Sequence, residues 1–248
     1  MSAPAMDLSE HEVTNGLPKI AWRILSVFGA LAVISLALYV AGSIYGERIA
    51  QVGNTTDETP IEIVIANDMF AIPTNMIRHR EQRIGGVAAK IDLHVHWPTQ
   101  SGYRRANAPA FGESDPTNME LALLSISPRR SLLDMPERFA PIYRNAFVGD
   151  GGKELSNGLF AADLSAEYGY INEKLIYSKP NATGIPAFIA RCQVTKSVED
   201  QLLLPCEADL FIGTSSELKI RFAASQINRW QAFSAELKTL IQHLTMGG

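Results

Sequence analysis

Three polar side chains alternate with aliphatic ones along Ile91-Asp-Leu-His-Val-His-Trp, which places Asp92, His94 and His96 two residues apart. Successive side chains of a strand point to opposite faces. Two imidazoles and a carboxylate would then share one face, with Ile91, Leu93, Val95 and Trp97 on the other. Neutral histidine nitrogens and carboxylate oxygens are ligands for zinc and similar divalent ions, and His79 or Asp68 is available to complete such a set. The same pattern is satisfied by a wetted face over a buried aliphatic one. No other cofactor is expected.

A second cluster, Arg78-His-Arg-Glu-Gln-Arg, brings Arg78, Arg80 and Arg83 together, and Arg104 and Arg105 could join them. The planar guanidinium fork suits carboxylates and phosphates, so an anion-binding sensor is one reading. A solvated surface on which Glu81 pairs locally is the plainer one. Gly149-Asp-Gly-Gly-Lys is not a phosphate loop, because Lys153 is followed by Glu154 rather than by a hydroxyl residue entering a helix. No Gly-x-Ser-x-Gly elbow occurs either.

The two cysteines, Cys192 and Cys206, are the only ones in 248 residues. In an oxidising compartment such a pair reads as a disulfide, closing a short loop worth about 3 kcal/mol in the chain-entropy model.

The elements that must position these residues are mostly strands. Segments 61–66, 88–97, 121–127, 159–164, 170–177, 185–194, 206–212 and 218–222 are β-branched, aromatic or alternating, and Gly, Pro, Asn and Ser separate them. The later ones follow in quick succession, which predicts an antiparallel meander with Cys192 and Cys206 on neighbouring strands. Residues 67–86 give no clear pattern, and 101–117 reads as a long surface loop. Asp134 and Glu137 have capping-box spacing for a short helix carrying Phe139, Ile142 and Tyr143, although Pro141 sits awkwardly inside it. A C-terminal helix over 226–244, with Ser225 as N-cap, would lay Ile227, Trp230, Phe233, Leu237, Ile241 and Leu244 on the sheet.

Ahead of this domain, no charge occurs between Arg23 and Glu47. A run of that length crosses a bilayer as one helix, and it is longer than the usual apolar region of a cleaved signal peptide, although the small residues Ala41 and Ser43 leave room for cleavage. Lys19 and Arg23 precede it and Arg48 follows it, which predicts a cytoplasmic N-terminus. The expected organisation is a cytoplasmic arm at 1–19, a transmembrane anchor at 20–46, a linker at 47–60 and a periplasmic α+β domain at 61–248. A net charge of −4 gives no sign of a nucleic-acid partner.

Ile72-Pro-Thr-Asn-Met-Ile-Arg, Gln82-Arg-Ile-Gly-Gly-Val, Asp92-Leu, Trp97-Pro and Gly102-Tyr, with Arg191-Cys and Leu218-Lys-Ile-Arg-Phe before a Trp-containing helix, form a recognisable series. In these the chain resembles single-pass, membrane-anchored periplasmic proteins of alphaproteobacteria. The resemblance implies a bacterial inner membrane with the domain in the periplasm, and it brings no activity or site residue. The sequence reading is therefore an accessory or interaction domain of an envelope assembly, with a membrane contact through one helix and a protein partner. A metal-binding protein or metal-dependent enzyme using Asp92, His94 and His96 is the alternative, and an anion sensor using Arg78, Arg80 and Arg83 is a third.

Overall fold

A computed structural model describes residues 17–50, 53–112, 120–195 and 203–245, and the chain divides after Ala50 into two units. Residues 1–16 of the arm at 1–19 and residues 113–117 of the segment read as a loop at 101–117 lie outside the described residues. In the first unit, helix α1 covers Leu17–Ala50 and so continues past residue 46 into the stretch assigned to the linker. Its apolar window, Ala21–Gly42, has a mean hydropathy of 2.4. Those residues rise about 33 Å at 1.5 Å each, enough for a hydrocarbon core of about 30 Å. The large apolar side chains from Trp22 to Val40 are exposed. A helix of this kind serves as an anchor or as a signal sequence.

The second unit is α+β, the expected class. Strands β1 (Pro60–Ile65) and β2 (Asp68–Pro73) form a hairpin, and β3 (Gly86–Val87) runs parallel to β1. The hairpin turns at Ala66, which takes a positive φ of 52°. The eight strands of the main sheet are β4 (Ile91–His96), β5 (Leu121–Pro128), β6 (Lys153–Glu154), β7 (Leu159–Asp163), β8 (Glu173–Ser178), β9 (Ile189–Val194), β10 (Leu203–Ile212) and β11 (Ser216–Phe222). Their order is β4-β5-β11-β10-β9-β8-β7-β6, and every neighbouring pair is antiparallel. The meander thus runs unbroken from β6 to β11, and the β4–β5 hairpin extends it beside β11.

Alternation along these strands gives the sheet two faces. On the first, Leu93, Leu124, Ile220, Phe222, Ala190 and Ile176 join Ile63, Phe70 and Ile72 of the small sheet in the main core. Helix α2 (Trp230–Leu244) closes this core through Phe233, Leu237, Leu240 and Leu244. The Phe233 ring lies 4.5 Å from Phe222 and 4.6 Å from Trp97, centroid to centroid. Aromatic pairs in this range add about 1 kcal/mol to their area burial.

On the second face, a smaller core gathers Met135, Phe139, Tyr143 and Ala146 against Ala162, Leu175, Tyr177 and Ile189. The capping box does form here: the Asp134 amide donates to Glu137, and the Glu137 amide donates to Asp134. No α-helix follows it. The segment proceeds through turns to a 3-10 helix at Tyr143–Ala146, because Pro141 has no amide to continue the ladder. Phe139 and Tyr143 are buried as expected, whereas Ile142 is exposed. The C-terminal segment also differs from expectation. Residues Ala224–Arg229 are 3-10, α2 starts at Trp230, and no side chain caps it, so Ser225 is not its N-cap.

Candidate functional site

Asp92, His94 and His96 do share a face of β4, but the histidine end of that face is not wet. The 3-10 helix Arg105–Gly112 follows the strand, and its Phe111 ring stands edge-on to the His94 ring at 4.6 Å. His94 is 5% exposed, and its Nε2 has no hydrogen-bond partner among the described residues. Burial pulls its pKa down to about 4 despite the hydrogen bond to the Asn75 backbone, and the nearby charges of Arg83, Arg78 and His79 act in the same direction. His96 is held by Thr99 at 2.7 Å and Glu120 at 3.4 Å. Asp92 accepts from Lys90 at 2.9 Å and Gln82 at 3.2 Å. Burial would raise its carboxyl, but the hydrogen bonds of Lys90, Gln82 and Ser125 and the Lys90 charge together hold it below the usual range. The three candidate ligands thus face three different sets of neighbours. Among the described residues, no group of three or more His, Cys, Asp and Glu side chains stands close enough to hold a metal.

The arginines are also divided. Arg83 donates from Nε and Nη2 to the Ile77 carbonyl, at 3.1 and 2.8 Å, so its fork is used on the backbone. Arg104 forms a two-pronged contact with Glu58, at 2.6 and 3.2 Å, and Arg105 is exposed. Arg80 lies in the 3-10 helix Arg80–Gln82. Of Arg78, Arg80 and Arg83, only Arg78 reaches the depression described next.

That depression is a groove of about 250 Å³ on the second face of the main sheet. Its floor is set by register: Asp92 opposes Ser125, Leu123 opposes Arg221, Ser125 opposes Lys219, and Glu207 lies between Arg221 and Arg191. Arg78 forms one wall, its amide tied to the Asp92 carbonyl at 2.8 Å, and Met135 forms part of the other. Beyond the 135–147 cover the same face carries a second depression, of about 500 Å³, where Phe147, Phe160 and Tyr177 lie beside Arg144 and Lys179. Phe147 and Phe160 each stack on Tyr177, at 5.8 and 5.6 Å. One sheet face therefore carries a charged groove and an aromatic depression on either side of a small cover.

The groove cations Lys219 and Arg221 were not singled out from sequence. The signal was present in Leu218-Lys-Ile-Arg-Phe, where strict alternation puts both cations on one face. That they meet Arg78 depends on β5 pairing with β11, a contact about ninety positions apart in the chain that no local pattern reveals.

Cys192 and Cys206 are directly opposed on β9 and β10 and form a disulfide, with Cα atoms 4.0 Å apart. A disulfide accords with an oxidising compartment.

No protein-family model matches the chain, and no curated protein matches it. Among solved structures, an immunity protein of the Stenotrophomonas maltophilia type IV secretion system is similar to it. The TM-score is 0.50 and the identity 12%, over 77% of this chain and 94% of that one. The Neisseria meningitidis iron-regulated outer membrane lipoprotein FrpD aligns at a TM-score of 0.47 and 10% identity, over 76% of this chain and 95% of that one. At such identities the first likeness concerns the fold alone.

Proposed function

We propose that this protein is an accessory or interaction domain of a bacterial envelope assembly, held at the inner membrane by α1 and acting by binding a protein partner. The observation that carries this reading is the second sheet face, with its charged groove and aromatic depression. Interface centres favour aromatic and arginine side chains in formed depressions, and here both kinds line depressions on one sheet face. A fold shared with a secretion-system immunity protein supports an accessory role. The apolar helix and the disulfide support a domain on the periplasmic side, and Lys19 and Arg23 before the helix support a cytoplasmic N-terminus. The resemblance to membrane-anchored periplasmic proteins of alphaproteobacteria points the same way.

Location is tested by fusing alkaline phosphatase, which is active only outside the cytoplasm, behind the domain. Active fusions retained in the membrane fraction are expected, and inactive fusions would reject the orientation. Binding is tested by a photo-reactive residue at Leu123 or Phe160 in the full-length protein in its host, compared with one at Gln231 on α2.

A further inference from the structure

The acids and cations of the groove do not cancel. Asp209 is paired with Arg138 from the cover, Asp92 with Lys90, and Arg191 lies 3.4 Å from Glu173 and 3.8 Å from Glu207. Each groove carboxylate is thus already answered, two of them by cations from outside the lining. On the other side of the balance, Arg78 and Arg221 are exposed and make no side-chain ion pair among the described residues. Among the described residues Lys219, also exposed, reaches only Glu217, at 3.9 Å. A chain of net charge −4 thus places three cations around one groove that are weakly paired or unpaired among the described residues.

We infer that the groove bounded by Arg78, Lys219 and Arg221 is the docking site for a carboxylate-rich segment of a protein partner. This rests on the reading of the second sheet face as a binding face and names the chemistry it selects. Guanidinium forks bind carboxylates in two-pronged fashion. The groove crosses five strands, from β4 to β9, a width of about 19 Å at 4.8 Å per strand, and so suits several residues of extended chain. Leu123, half-buried in the floor between the cations, offers an apolar rest for an intervening side chain.

The test uses the full chain in detergent micelles and a fluorescein-labelled hexaglutamate peptide followed by anisotropy. The peptide is expected to bind saturably, more weakly as salt is raised. The double variant Arg78→Glu, Arg221→Glu is expected to lose roughly tenfold or more in affinity. Arg105→Glu, an exposed reversal elsewhere, is expected to stay within about twofold. Because all three side chains are exposed, the variants keep the fold, which an unchanged melting temperature checks. Absence of peptide binding, or equal loss in the double variant and in Arg105→Glu, would overturn the inference. So would a labelled hexathymidylate that bound as tightly as the peptide, because the cations would then belong to a phosphate chain. If the peptide fails while photo-crosslinks at Leu123 persist, the acidic chemistry is wrong and the binding face stands. If both fail, the binding face itself is rejected.

Discussion

The carboxylate of Asp68, at the start of β2, accepts the Thr214 amide at 2.7 Å and the Thr214 hydroxyl at 2.8 Å, across 146 positions of chain. The Ser215 amide adds a third bond, at 2.8 Å. This one side chain ties the small sheet to the turn between β10 and β11. It also explains Gly213, which sits at a φ of 56° and whose added Cβ would lie 2.5 Å from the Asp68 carboxyl.

Burial opposes ionisation of Asp68, but the hydrogen bonds from Thr214, Ser215 and Ser216 outweigh it and hold the pKa at about 2, against 3.8 ordinarily. A carboxyl whose folded pKa is lowered adds stability above its unfolded pKa and loses it as pH falls through the folded value. Asp68 is therefore expected to contribute about 2 kcal/mol at neutral pH. Asp68→Asn should cost about that much in urea unfolding at pH 7, and its stability should change less than the wild type's from pH 4 down to pH 2. Parallel pH profiles would reject the assignment.

His94 behaves in the opposite sense to a paired histidine. Its folded pKa, about 4, lies below the ordinary 6.5, so the unfolded chain takes up the proton first. Stability is then whole above pH 6.5 and falls as the pH drops toward 4, by about 3 kcal/mol over the window. His94→Leu, which also removes an Nε2 without a partner among the described residues, should flatten that fall. Urea midpoints at pH 7 and pH 5 measure it, and an unchanged difference between the two pH values would contradict it.

The disulfide closes a loop of sequence separation 14. Replacing both Cys192 and Cys206 by Ala should lower stability by about 3 kcal/mol. Neither cysteine should react with maleimide until the unfolded protein is reduced. Stoichiometric labelling without reductant would contradict the bond.

Much of the main sheet was legible because its strands alternate or are framed by turn residues. Leu218-Lys-Ile-Arg-Phe and the cysteine pair are examples, and Cys192 opposite Cys206 follows directly from a meander. The hairpin partner Asp68–Pro73 was not legible, because the turn before it, Ala66-Asn67, lacks glycine and Pro73 breaks the strand pattern. The spacing of Asp134 and Glu137 specifies the two local hydrogen bonds that form between them. The helix expected beyond it was outweighed by Pro141 and by the burial of Phe139 and Tyr143 against the sheet. For the site, the shared face of Asp92, His94 and His96 was visible, but the burial of His94 beneath Phe111 was not, since it depends on how the 105–112 segment folds back.

Binding of a protein by the second sheet face can be read in cells with a photo-reactive residue at Leu123, in the groove, or at Phe160, in the aromatic depression. On irradiation, discrete crosslinked species of the same partner mass are expected from both positions, with none from Gln231 on α2. No discrete adduct from either face position, or an equal adduct from Gln231, would contradict it.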